Sequence, residues 1–262
     1  MPGGFVFTLC AKPGETASAQ AAGMPIGHMA WRVGPGPALL CHSIGSNMRG
    51  GAMILSDAGY NDERRGEGQA EEFRRALLLE IAQRSFTALV CDFEQRWSPT
   101  LERLVESVAP SLLRRGVTLY VPEAYARCDA ETKVLIPTAI TQGSLAGRLR
   151  EATERYGGAA RLALDIECAA TDLALPSPDN AGKHINRAVL NALLMERGGQ
   201  SFYSEELCAR YFTYREADEH HFVIYDDGGT IQKKAQTALR MGIKHGFVLY
   251  PEVESYLAAL VN

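Results

Sequence analysis

From residue 50 onward the chain alternates short β-rich runs with amphipathic helical stretches, which restricts it to the parallel α/β architectures. Strands are predicted at Ala52 to Ser56, Phe86 to Asp92, Val117 to Val121, Arg161 to Ile166, Phe222 to Tyr225 and Phe247 to Tyr250. Between them, Phe73, Leu77 and Ile81 recur at four-residue spacing and predict a helix over 70–84, with Glu71 and Arg75 as an exposed pair. Ser98-Pro99 reads as the cap and first turn of a helix carrying Leu101, Leu104, Val105 and Val108, which Pro110 is expected to kink or end. Ile231, Ala235, Ala238 and Leu239 form one face of a helix that Gly242 terminates. Phe5 to Cys10 and His28 to Val33 supply two earlier strands, and the GPGP stretch after them leaves room for at most a short helix.

No linker or shift in composition divides the 262 residues, so residues 1–262 are expected to form one domain of α/β class, a single (β/α)8 TIM barrel. The competing doubly wound sheet carries a glycine-rich phosphate turn after its first strand, and this sequence has none. A net charge of -4 with scattered Lys and Arg residues argues against nucleic acid as a partner. The N-terminal MPGGFVFTLC has no signal-peptide pattern and no apolar run is long enough to span a membrane, so no membrane partner and a cytoplasmic location are expected. The six cysteines form no CxxC or CxxH pair and are read as buried free thiols.

Two strands end in acids. In ALVCDFEQ, side-chain alternation puts Val90, Asp92 and Glu94 on one face and Leu89, Cys91 and Phe93 on the other. In RLALDIEC, Ala163, Asp165 and Glu167 share a face opposite Leu162, Leu164 and Ile166. In a barrel the apolar sets meet the helices and four acids face the axis at the C-terminal mouth. Carboxylates crowded there repel one another, so at least one is expected to hold its proton near neutral pH, as a general acid must. Acids that merely face solvent or cap a helix are the bland alternative for either pair. Trp97 lies in the loop after Glu94, where an aromatic could stack on a sugar; Trp31 is expected to be buried, and His220-His221 to be a strand-entry pair rather than metal ligands.

Four segments, in order, are similar to glycoside hydrolase family 18, the chitinase-like barrels including the branch that cleaves spore-cortex peptidoglycan. They are MILSDAGY (Met53 to Tyr60), FTALVCDFE (Phe86 to Glu94), VTLYVP (Val117 to Pro122) and the block ARYFTYREADEHHFVIYDDGGTIQKKAQTALRMGIKHGFVLY (Ala209 to Tyr250). The resemblance implies a hydrolase of β-linked N-acetylhexosamine glycans, chitin-like or peptidoglycan-derived, that uses no cofactor and no metal. It implies Glu94 as proton donor and Asp92 as the acid that orients the 2-acetamido group, whose own oxygen is the nucleophile. Asp165, Tyr250, Trp97 and Asp57 are the expected substrate contacts, with Tyr250 standing where the family has the Trp that floors the sugar pocket.

The chain also departs from the pattern. Thr87 and Val90 stand where the family has acids, Ala58 replaces a Gly, and Leu164 replaces a Tyr. These departures support an alternative, a catalytically silent barrel that binds carbohydrate or serves as a scaffold. A third reading takes Asp92, Glu94, Asp165 and Glu167 as oxygen ligands of a hard cation such as magnesium.

Overall fold

The computed structural model describes residues 4–61, 69–95, 97–129, 131–176, 182–197 and 200–261. Among these residues the strands are β1 (Val6–Ala11), β2 (Ile26–Gly34), β3 (Ala38–Cys41), β4 (Ala52–Ser56), β5 (Ala88–Asp92), β6 (Thr118–Pro122), β7 (Lys133–Pro137), β8 (Leu162–Ile166), β9 (Ala170–Leu175), β10 (Lys183–His184), β11 (Phe202–Ser204), β12 (Ala209–Glu216), β13 (Glu219–Tyr225) and β14 (His245–Leu249). Strands β1, β2, β4, β5, β6, β7, β8 and β14 run parallel, and β1 pairs with both β14 and β2, which closes an eight-stranded TIM barrel. The barrel axis is filled by Cys10, Ile54, Val90, Tyr120, Leu135, Ala163 and Phe247, with the Tyr120 and Phe247 rings edge to face at 4.9 Å. Gly51 precedes β4 at φ +64, and a Cβ there would lie 2.2 Å from the Ile26 carbonyl oxygen, so the chain can make this entry only with glycine.

The outer layer follows the expected helices. Ser98 caps helix Pro99–Arg114 by accepting from the Thr100 and Leu101 backbone N–H groups. The helix runs through Pro110, because Leu104, Val105, Val108 and Leu112 lock its inner face while Pro110 itself is exposed. Glu71 pairs with Arg75 at 3.1 Å and also with Arg74 at 2.7 Å. No helix follows the GPGP stretch; β3 turns back antiparallel on β2 to make a hairpin. Cys10, Cys91 and Cys208 are buried as expected, whereas Cys41 is exposed at the end of that hairpin.

One predicted barrel strand belongs elsewhere. Phe222 to Tyr225 lies in β13, which pairs antiparallel with β12 and β9 in a second sheet ordered β10-β9-β13-β12-β11. Only Ala217 and Asp218 join β12 to β13, and a two-residue connection makes a hairpin; parallel neighbours need a crossover of roughly a dozen residues. The eighth barrel strand is β7, whose short KVLIP run the pattern reading passed over. The second sheet is an insertion between β8 and helix Gly228–Arg240. It begins at Ala170, just past the end of β8, and so rises from the mouth of the barrel.

Helix Arg187–Glu196 covers one face of that sheet, where Leu190 packs with Phe212, Val223 and Tyr225. His221 lies within β13, its Nδ1 2.9 Å from Asp172 and its ring stacked on Tyr214 at 4.5 Å. Where the insertion returns to the barrel, Lys234 and Asp226 form an ion pair at 2.6 Å with both side chains almost wholly buried. Among the described residues no helix is long and apolar enough to cross a membrane.

Candidate active site at the barrel mouth

The period-two alternation of β5 and β8 continues to their ends. Leu89, Cys91 and Phe93 pack outward against the helices, and Phe93 meets Tyr125 edge to face at 5.4 Å. Leu162, Leu164 and Ile166 do the same on β8. The remaining parity brings Asp92, Glu94, Asp165 and Glu167 to one open cleft of about 480 Å³, which Glu123 and Pro137 also line. Asp92 and Asp165 sit half-buried above the apolar axis, while Glu94 and Glu167 stand exposed at the lip.

The electrostatics follow from this placement. Burial pushes the Asp92 carboxyl up to about 6, with the charges of Glu94, Asp57 and Glu167 adding to the effect. Burial pushes Asp165 up to about 7, aided by Glu167, Asp92, Glu94 and Glu252. The residue beneath Asp92 on the same face is Val90, packed among Ile54, Leu135 and Phe247, so no inner acid shares the proton from below. The mouth therefore retains protons at pH values where ordinary carboxyls are ionised.

Asp57 is 1 % exposed, and both its oxygens are engaged by backbone: Oδ1 accepts from Glu94 N–H and Oδ2 from Gln95 N–H, each at 3.1 Å. It holds the acidic loop and does not face the cleft, contrary to its expected role as a substrate contact. Tyr250 is also displaced from expectation. Strand β14 ends at Leu249, and Tyr250 opens helix Tyr250–Val253, buried in the layer between barrel and helices with its hydroxyl donating to Glu254 at 2.9 Å. Phe247 faces the axis, Leu249 follows it on that face, and alternation turns Tyr250 away. Trp97 is 50 % exposed in the loop after β5, and Trp31 is buried at 2 %.

Two acids not singled out from the sequence belong to this region. Glu252 accepts the Cys168 backbone N–H at 2.8 Å and anchors the chain just past Glu167. Glu123 is held at the cleft wall by Arg148 at 2.6 Å and the Tyr156 hydroxyl at 3.2 Å. Each follows a proline at a strand end (YVPE and LYPE), a weak signal without the fold. Among the described residues no group of three or more His, Cys, Asp or Glu side chains is arranged to hold a metal ion.

Two further cavities adjoin the cleft. One of about 730 Å³ shares Asp92 with it and reaches Lys12, Trp31, Arg32 and His42. The other, of about 610 Å³, shares Pro137 with it and runs along Thr141 to Ser144.

No protein-family model matches the chain, and no curated protein matches it in sequence. Solved structures match its fold. A chitinase from Chromobacterium violaceum superposes with TM-score 0.74 at 15% identity, over 98% of this chain and 98% of that one. The spore cortex-lytic enzyme SleL of Bacillus megaterium gives TM-score 0.69 at 14% identity, over 99% of this chain and 75% of that one. A class V chitinase from Nicotiana tobaccum, solved in complex with NAG4, gives 0.65 at 10% identity, over 97% and 98%. The chain shares the barrel fold of these chitinases and cortex-lytic enzymes, as the four sequence segments imply.

Proposed function

We propose that the protein is a glycoside hydrolase acting on β-linked N-acetylhexosamine glycans by substrate-assisted catalysis. The observation that carries this reading is the pairing of an exposed Glu94 with a half-buried, proton-retaining Asp92 in one open cleft at the mouth of the barrel. Glu94 gives its proton to the glycosidic oxygen as the bond to the anomeric carbon breaks, and the sugar's own acetamido oxygen forms the new bond to that carbon. Asp92 first passes the proton it retains to Glu94 and, as the carboxylate, accepts from the acetamido N–H and supplies counter-charge to the oxazolinium. Water then attacks the anomeric carbon, its proton returns to Glu94, and the ring opens. No protein nucleophile is needed, consistent with a cleft lined by carboxyls and apolar side chains.

A second reading, a barrel that binds glycans without cleaving them, is favoured by two particulars: Val90 beneath Asp92, and Leu249 on the face where an aromatic floor is expected. A fluorogenic chitobioside assay separates the two. Wild type should turn it over, and Glu94→Gln should lower turnover by roughly 10²–10⁴-fold while an N-acetylglucosamine oligomer still binds. Turnover undiminished by Glu94→Gln would overturn the proposed proton donor, whereas binding without any wild-type cleavage would establish the silent barrel.

A further inference from the structure

The outer wall of the barrel carries a furrow whose chemistry the proposed reaction does not use. It has a volume of about 530 Å³, runs between helix Gln69–Gln83 and helix Pro99–Arg114, and is rimmed by Arg74 and Arg75 on one side and Arg114 and Arg115 on the other. No carboxylate lines it among the described residues. Glu71 pairs with Arg74 at 2.7 Å and with Arg75 at 3.1 Å, yet one carboxylate cancels only one of the charges. Arg114 and Arg115 form no ion pair among the described residues. In a chain whose net charge is -4, this leaves a local positive field on the outside of the barrel.

Between the rims the furrow is apolar. Arg75, Leu78, Leu79 and Ala82 follow one another at three- and four-residue spacing and so share one face of their helix. Leu78 is buried, whereas Leu79 is 58 % exposed and Ala82 is exposed as well, which leaves an apolar strip in water. On the facing helix, Arg114 Nη2 donates to the buried Ser111 hydroxyl at 3.2 Å, and Arg115 Nη1 donates to the Leu78 carbonyl at 3.1 Å. These bonds hold both guanidinium groups at the rim, and each keeps N–H donors for a further acceptor. Helix Pro99–Arg114 starts beside the cleft and is 16 residues long, roughly 24 Å, so Arg114 lies a helix length below the mouth.

A phosphate backbone pairs with the guanidinium groups but leaves Leu79 and Ala82 in water, and a neutral apolar segment covers the strip but buries the charges beside it without partners. Two packed helices present a groove that a third helix fills. We infer that this furrow docks an acidic amphipathic helix of a partner protein, with apolar side chains on Leu79 and Ala82 and carboxylates on both flanks against Arg75, Arg114 and Arg115. Docking on the outer wall leaves the mouth open, so the inference stands independently of the reading of the cleft.

The test reads fluorescence anisotropy of a labelled peptide on the full chain. The parent probe has about 20 residues, long enough to hold a helix, with leucines along one face and glutamates on both flanks. Its comparison probes are the same peptide with every glutamate replaced by glutamine, the same peptide with every leucine replaced by serine, and a DNA duplex of matched charge. Wild type should bind the parent about tenfold more tightly than either altered peptide, with the advantage over the glutamine peptide shrinking as salt rises. An Arg75→Gln/Arg114→Gln double variant that melts like wild type should bind the parent no better than wild type binds the glutamine peptide. If that variant melts lower, Leu79→Ser, a change at an exposed position, should by itself weaken the parent and leave the serine peptide unchanged. Full affinity for the parent in these variants would overturn the assignment of the surface. No binding of the parent by wild type, or equal binding of the serine peptide, would overturn the inference, and so would DNA bound as tightly as the parent and lost in the same double variant, which would mark the furrow as a phosphate-backbone site.

Discussion

Asp57, wholly buried after β4, accepts the backbone N–H of Glu94 with one carboxylate oxygen and that of Gln95 with the other. The two acids thus have different tasks: one fixes the backbone that carries the other. Charge-assisted bonds to a buried carboxylate are worth more than neutral ones, and losing the acceptor leaves two N–H groups to find new partners. Asp57→Ala should lower stability by about 2–4 kcal/mol in urea unfolding. Asp57→Asn, which keeps one acceptor oxygen, should cost less and, on the proposed mechanism, should reduce kcat on a chitobioside more than it changes KM.

Asp92 and Asp165 make stability depend on pH in a defined direction. Their carboxyls are raised from an ordinary 3.8 to about 6 and about 7, so the folded state holds protons that the unfolded chain releases. Below about pH 4 both states are protonated and the favourable contribution is complete; from there to about pH 7 the folded state binds more protons, and that contribution is lost as pH rises. Asp165→Asn removes one of these groups. Its melting temperature should exceed that of wild type at pH 8 by an amount on the order of 2 kcal/mol of stability, and match it at pH 4. A melting difference that does not change between the two pH values would contradict this account.

The Lys234–Asp226 pair joins the inserted sheet to helix Gly228–Arg240, and Asp226 also accepts from the Thr230 hydroxyl at 2.7 Å. Removing only the cation strands a buried carboxylate. Lys234→Met should therefore cost roughly 3–5 kcal/mol, measured by chemical denaturation. A Lys234→Met/Asp226→Leu double variant should recover part of that loss, since neither charge then remains buried alone.

Phe93 separates the two acids of the strand end and points the other way, into Tyr125 and the helical layer. Phe93→Ala should lower stability by about 3–5 kcal/mol in thermal or urea melts through the cavity it leaves. Because its ring is buried against Tyr125 in the helical layer, oligomer binding by the folded fraction should persist. Loss of binding with unchanged stability would mean that the side chain serves the site directly.

What the sequence determined by itself was local. Alternation along FTALVCDFE and RLALDIEC sorted each side chain to the axis or the helices, since a strand has a side-chain period of two whatever its neighbours are. The cap at Ser98 and the helix stop at Gly242 were legible for the same reason: each depends on residues within a few positions. The same rule, counted outward from Phe247, turns Tyr250 away from the mouth, and the family likeness set against it pointed the wrong way for that side chain. Tertiary structure alone decided which strands closed the ring, because parallel pairing joins segments distant in the chain: β7 took the place given to β13, whose two-residue link to β12 committed it to a hairpin. It also decided the tasks of the polar residues. Asp57 became a buried latch only when β5 lay beside β4 and brought the Glu94 and Gln95 N–H groups to its carboxylate. Arg75 and Arg114, far apart in the chain, came to flank one furrow only when helices Gln69–Gln83 and Pro99–Arg114 packed side by side.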